Sequence, residues 1–372
     1  FPVEILTISE QNGTRLRATV SEFGPVLLSR ILGLSEVQEG ILAILFQYCD
    51  DKQLGLLDLK DLKKILQFAT QEGKAELEAS YGRISPASTG SILRKIVALE
   101  QQGADMFFGE RSFEVKDLCR VSDDGRGMIS VLRLTDVQDK PKMFSTFMLQ
   151  LLAEVYNSFP ELGDNDRPEL VLFIDEAHLV FENASKSLLD QLESIVKLIR
   201  SKGIGIYFVT QNPKDIPSDV LSQLGLKIQH ALRAFTAKDR KAIKLAAENY
   251  PDSDYYDTAK VLTELGIGEA FVSALNEKGV PTPLVKTMLR APMSRMDVLS
   301  ESELKELIST SKIARRYNEV IDSESAYEIL NKKIASAQEI EKEVKSKSSS
   351  SKSTKRTAIN PVLKVLTSAT FI

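Results

Sequence analysis

Two apolar runs that end abruptly in polar groups set the strongest limit on what this chain can fold into. "LVLFIDEAHLVF" covers residues 170 to 181, and "IGIYFVTQNP" covers residues 204 to 213. Each starts as a continuous apolar stretch of strand length, the pattern of a strand buried in a parallel sheet. Between them a helical period runs from about Ser185 to Lys202 and stops at Gly203, and a further strand is expected over 226–232. Strands alternating with helices, apolar enough to be covered on both faces, predict an α/β fold with a mostly parallel sheet.

The rest of the chain is organised around that sheet. Residues 1 to 20 hold two β-rich runs, "VEILTI" and "TRLRATV", separated by Asn12-Gly13, which predicts a hairpin. From Glu22 to about Phe108 the period becomes helical, with Leu27, Leu28, Ile31 and Leu32, then Ile41, Ile44 and Leu45, then Leu62, Ile65 and Leu66. After the strand "GMISVLRL", the stretch "KMFSTFMLQLLAEVYNSF" places Phe144, Phe147, Met148, Leu151 and Val155 on one helical face, the mark of core packing. "GEAFVSALNEKGVPTPLVKTML" reads as a β-hairpin around Asn276-Glu277-Lys278-Gly279 that closes the sheet edge. Ser300 with Glu303 forms a capping box that opens a polar helical region reaching about Glu343.

The expected division is therefore 1–21 for the first strands of the core, 22–118 for an α-helical insert, and 119–298 for the rest of the core. Residues 299–344 make C-terminal helices, and 345–372 a basic Ser/Lys linker and amphipathic tail. From Lys345 onward there are six Lys or Arg and no acid, ending in "NPVLKVLTSATFI". That tail reads either as solvated chain or as a basic, partly apolar anchor for nucleic acid, an anionic membrane surface or a neighbouring subunit.

Composition narrows the function classes. A formal net charge of -4 leaves no overall basic field, so any grip on nucleic acid rests on local patches. Cys49 and Cys119 make no disulfide framework, and His178 and His230, the only histidines, make no spaced metal cluster; both thiols read as structural. The most apolar long stretch, "PVLLSRILGLSEVQEGILAILFQY", is broken by Arg30, Glu36 and Glu39, so no membrane span is expected. With no signal peptide at its start, the chain is expected in the cytoplasm.

The chemistry is carried by the ends of the apolar runs. Nucleotide hydrolysis on a parallel sheet needs an acid at the carboxyl end of a strand to hold Mg²⁺ through its waters, and a second carboxylate to orient or deprotonate the attacking water. Asp175 and Glu176 stand in that order. Gln211, after the neighbouring strand, supplies an amide that can bond both the water and a terminal phosphate; the plainer reading is a Gln and Asn that start a loop before Pro213. Arg233, in or just after a strand, and Arg240, where a helix begins with Asp239, are candidates for stabilising transferring phosphoryl charge, with surface salt bridging as the alternative. The phosphate loop G-x-x-x-x-G-K-[ST] is absent: Gly73-Lys74 lacks the upstream glycine and is followed by Ala75. The "DEAH" and "SAT" strings (the latter at 368–370) invite comparison with box helicases, but no arginine-rich motif follows residue 230.

Several long stretches together resemble one family. They are "RATVSEFGPVLLSRILGL", "LGLLDLKDLK", "LEQQGADMFFGE", "FIDEAHLVF", "LIRSKGIGIYFVTQNPKDIPSDVLSQLGLKIQHALRAFT" and "GEAFVSALNEKGVPT", and they look like bacterial ATPases with a HerA-like helicase domain, of the HerA and FtsK clan of ring-forming ATPases. The resemblance covers residues 1 to about 330. It implies a RecA-like sheet with an α-helical insert, ATP and Mg²⁺ as cofactors, and a homo-oligomeric, hexameric ring that moves a polymer such as DNA, with a nuclease as a further partner. By position it implies Asp175 as the Mg²⁺-side acid, Glu176 as catalytic base, Gln211 as phosphate sensor and Arg233 as the arginine acting across subunits, with Arg240 a looser match. It also implies a phosphate loop of the type GATGTGKT before Phe1, so the chain is expected to be an incomplete copy of the ATPase. Two other classes stay open: a membrane-associated motor like conjugative coupling proteins, and a non-hydrolysing scaffold or regulatory subunit.

Overall fold

The computed structural model describes residues 1–137, 140–163, 167–182 and 186–348. Strand β1 (Val3–Thr7) lies between β2 (Thr14–Arg15) and β3 (Ile129–Arg133) and runs parallel to both. Strands β4 (Leu170–Ile174) and β5 (Ile204–Phe208) pair in parallel, with Leu170 opposite Ile204 and Ile174 opposite Phe208. Strands β6 (Lys227–Gln229), β7 (Glu269–Ser273) and β8 (Val285–Met288) form an antiparallel sheet. The expected strand at 226–232 is therefore shorter, and its described partner is the antiparallel β7 rather than a parallel strand. The fold is mixed α/β with parallel pairing where the two apolar runs predict it.

Asn12-Gly13 does not make the expected hairpin. A two-residue turn of that kind needs positive φ at both central residues, and neither has it. Instead the Ser9 N–H donates to Thr7 Oγ1 at 3.1 Å and the Ser9 hydroxyl to Asp136 at 2.9 Å, so the chain bends round and β2 runs parallel to β1. Gly13 is needed for closeness rather than for its φ: a Cβ there would lie 3.2 Å from the Leu6 carbonyl carbon. The hairpin at Asn276 does form, with β7 and β8 antiparallel and Gly279 at φ 71.

Five helices occupy Val20–Leu32, Glu36–Asp51, Leu59–Thr70, Lys74–Tyr81 and Pro86–Glu100. Their starts are written locally: Thr19 with Glu22, Ser35 with Gln38 and Asp58 with Asp61 form capping boxes. Phe23, Phe107, Phe108 and Phe147 meet edge-on or tilted, with the Phe107 and Phe147 centroids 5.6 Å apart. Phe147 belongs to the helix Pro141–Ser158, and the predicted stripe of Phe144, Phe147, Met148, Leu151 and Val155 is buried throughout. Burying each such side chain contributes about 1.5–3 kcal/mol.

The coverage of the parallel pair differs from expectation. Leu170, Leu172, Ile174, Ile204, Ile206 and Phe208 join the main core, but on the other face Phe173 is 69% exposed and stacks on Tyr207, with Val171 and Val209 also exposed. Among the described residues the sheet is thus covered on one face.

C-terminal helices Glu301–Ser309, Ala314–Asn318 and Ala326–Ser348 strap the early chain. Asn318 accepts the Arg15 N–H at 2.8 Å and donates to Gly13 O at 3.2 Å, and Arg17 donates to Tyr317 O at 2.9 Å. The fully buried Asp61 carboxylate accepts the Tyr327 N–H at 2.8 Å, and Lys333 reaches Glu76 at 3.0 Å. The basic linker and tail beyond Ser348, with the "SAT" string, lie outside the described residues, as does the expected helix start at Ser185.

Candidate active site

β4 ends at Ile174, and its ladder with β5 continues one step further, because the Val209 N–H donates to Ile174 O at 2.9 Å and the Ala177 N–H to Val209 O at 2.9 Å. Those two bonds fix the turn that carries Asp175 and Glu176. Asp175 is exposed at the strand tip, and its Oδ1 accepts the Glu176 N–H at 2.9 Å. Glu176 has φ 48, the left-handed region that a non-glycine residue enters at a cost of about 1–3 kcal/mol. Such strain concentrates at functional sites, because surrounding structure must hold it in place.

The two strand ends meet in one contact: Gln211 Nε2 donates to Glu176 Oε1 at 3.1 Å. Gln211 is presented by a loop whose shape is held separately, since the Thr210 hydroxyl donates to Asp215 at 2.6 Å and Asn212 Oδ1 accepts the Lys214 N–H at 3.1 Å. The expected loop start before Pro213 is therefore present as well.

His178, read from the sequence only as an unclustered histidine, sits beside the pair with Nδ1 3.3 Å from Glu176 Oε2. Its signal was its position two residues after a candidate base, at the start of a helical turn.

The arginines stand elsewhere. Arg233 donates to the carbonyls of Thr263 and Leu265, the latter at 3.1 Å, and so caps the C-terminal end of the helix Thr258–Glu264. Arg240 is exposed in the first turn of the helix Ala237–Ala247. That helix starts at a Thr236–Asp239 capping box, and the Thr236 N–H holds the Asp239 carboxyl below its ordinary value. Neither arginine touches Asp175, Glu176 or Gln211 within the chain.

No group of three or more His, Cys, Asp or Glu suited to a metal occurs among the described residues. Mg²⁺ needs no such group, because it keeps several waters and takes one or two carboxylates together with substrate phosphates. Asp175, an exposed hard-oxygen ligand at a strand tip, is the residue that would hold it. A groove of about 740 Å³ reaches Gln211, lined by β5 through Gln211 on one side and by Leu226–Leu232 with Asn249 and Tyr250 on the other; Asp175 and Glu176 do not line it. Among the described residues neither β5 nor β6 has a strand partner on the edge away from β4 or β7.

The parallel strands, with an acid pair at one tip bridged to a polar amide at the next, make this a RecA-like α/β fold. The chain matches the model of the helicase HerA-like C-terminal family over residues 1–369 and belongs to that family. A probable helicase of Methanocaldococcus jannaschii is 33% identical over 154 residues, covering 39% of this chain and 28% of the relative. The DNA double-strand break repair helicase HerA of Saccharolobus solfataricus is 25% identical over 195 residues, 52% of this chain and 38% of the relative. The chain thus spans well under half the length of these curated relatives. Among solved structures it is similar to plasmid coupling protein TrwB in complex with ADP and Mg²⁺, with a TM-score of 0.52 and 12% identity over 77% of this chain and 74% of that one, a likeness of fold.

Proposed function

We propose that this chain carries the acid half of a HerA-like ATP hydrolase, with Glu176 as the base that orients and deprotonates the attacking water. The observation that carries this reading is the Gln211–Glu176 bond, which ties a phosphate-sensing amide to the base across two parallel strands. Asp175 would hold Mg²⁺, which when bound would supply charge stabilisation at the phosphates. Gln211 leaves Glu176 to bond the terminal phosphate and the water, so the base is freed where phosphate is present. Arg233, engaged within its own chain, acts across a subunit boundary only if it exchanges the two carbonyls for phosphate, and Arg240 is the freer alternative.

A phosphate-binding loop completes the site in this reading. The groove between β5 and β6, with an open strand edge on each side, suits a strand carrying such a loop, and the exposed Phe173–Tyr207 face suits a covering helix. The five segments expected from the sequence become the working units: core strands 1–21, helical insert 22–118, core 119–298, helices 299–344 and tail 345–372.

For the whole protein we propose a homo-oligomeric, hexameric ring that moves DNA, supported by the helicase names of the relatives, with a nuclease as an accessory partner and the cytoplasm as its place. No helix of the described residues is long and apolar enough to cross a membrane. The test is Mg-ATP turnover by the full-length protein and its Glu176→Gln variant. Loss of turnover with nucleotide binding kept supports the assignment, and an unchanged rate refutes it.

A further inference from the structure

Glu176 Oε2 is buried and makes no hydrogen bond, although the imidazole of His178 stands 3.3 Å away through Nδ1. The other oxygen of the same carboxylate is already held by Gln211 at 3.1 Å. A buried carboxylate oxygen without a donor is costly, and the nearby imidazole nitrogen can supply one. The turn makes this contact a built one: the Leu179 N–H donates to Glu176 O and the Val180 N–H to Ala177 O, at 2.9 and 3.0 Å, so residue 178 returns beside residue 176.

We propose that His178 is the positioning residue for Glu176, donating its Nδ1–H to Oε2 and acting on the reaction only through that carboxylate. The terminal torsion of a glutamate is broad and roughly two-fold. One donor on each oxygen removes that freedom and leaves the carboxylate plane set relative to Asp175, whose Oδ1 holds the Glu176 backbone. When Gln211 turns to phosphate, His178 is the donor that remains, and it keeps the base oriented while its other oxygen becomes available to water. In a neutral imidazole the partner of one nitrogen decides which nitrogen carries the proton, so Glu176 selects the Nδ1–H tautomer. The inference rests on the reading of Glu176 as the base.

Steady-state ATP hydrolysis by the full-length protein tests the role with three variants. His178→Ala is expected to lower kcat about tenfold or more with KM little changed. His178→Asn, whose amide nitrogen lies where Nδ1 does, is expected to recover the rate to within about threefold, and His178→Gln, whose amide lies nearer the Nε2 position, is not. An unchanged rate in His178→Ala, or equal recovery by Gln, overturns the proposal. If the unsubstituted protein does not hydrolyse ATP, the hydrolase reading fails, and a second measurement decides the contact by itself.

That measurement is the imidazole ¹⁵N spectrum of the 372-residue chain, which holds two histidines. His230 is the internal control, because its Nδ1 lies 3.0 Å from the Glu269 carbonyl. Protonated Nδ1 at His178, lost in Glu176→Ala while His230 stays unchanged, supports the proposal. Unprotonated Nδ1 at His178, or a spectrum that Glu176→Ala leaves unaltered, overturns it.

Discussion

Gln211 and Glu176, 35 residues apart, share a 3.1 Å hydrogen bond that joins the tips of two parallel strands. Removing the amide leaves a carboxylate oxygen without its donor and, on the proposed reading of Glu176 as the base, cuts the link between base and phosphate. We expect Gln211→Ala to lower kcat by about tenfold or more in the full-length protein while nucleotide affinity changes little. Equal turnover in steady-state assays would show that the bond is incidental.

Glu4 sits in β1 at 2% exposure, paired with Arg120 at 2.6 Å and accepting from Thr14 Oγ1 at 3.2 Å. Breaking a buried pair by removing one partner costs about 3–5 kcal/mol, because the remaining charge is stranded. Arg120→Ala is expected to destabilise the chain by that order in urea unfolding, and adding Glu4→Gln to restore part of the loss. A double variant no more stable than the single one would place the cost in lost packing instead.

Asp61 is fully buried and accepts the N–H groups of Leu57, Asp58 and Tyr327, at 2.8, 3.1 and 2.8 Å, as well as the Ser325 hydroxyl. Each stranded buried donor costs about 1–3 kcal/mol. Asp61→Ala is therefore expected to loosen the Ala326–Ser348 helix from the Leu59–Thr70 helix, read as fast amide exchange at Tyr327. Protection retained at that amide would count against the bond as the anchor.

The Glu328 carboxyl is held down to about 2, chiefly by the Ser325 hydroxyl, from an ordinary 4.5. Between those values the unfolded chain binds more protons than the folded one, so stability rises with pH there. The contribution is expected in full above about pH 4.5 and to disappear as pH falls toward about 2. Thermal melts of the chain and its Glu328→Gln variant should converge across that window and differ by a constant above it.

If DNA is the polymer moved, its affinity for the full-length protein should fall linearly with salt on a log–log plot, with a slope set by the number of phosphates contacted. Flat or absent binding between low and moderate salt would remove DNA from the reading.

Where the sequence and the structure agree, the information was local. β4 and β5 announced themselves as apolar runs ending in polar groups, and the capping box of Ser300 with Glu303 is read within four residues. Asn276 to Gly279 formed its turn because Gly279 takes the positive φ the turn needs, whereas Asn12-Gly13 had the same letters and not the same backbone. What stayed hidden was non-local. Nothing near Arg233 reveals that its partners are the carbonyls of Thr263 and Leu265. Nothing in the polar helices after Ser300 reveals that Asn318 reaches Gly13, and His178 gains meaning only beside a turned-back Glu176.

The register of β1 against β3, Val3 opposite Ile129, also sets a timetable for synthesis. At about 5–20 residues per second the ribosome takes on the order of ten seconds to deliver β3 after β1. During that wait β1 has only the two-residue β2 to pair with, whereas the helices from Val20 to Glu100 can form from their own turns. Closing a long loop costs chain entropy that grows with its length, and the Asp61–Tyr327 bond spans 266 residues. The helices after Ser300 therefore close as a latch on units already shaped, and a nascent chain halted before Ser311 would leave those units without it.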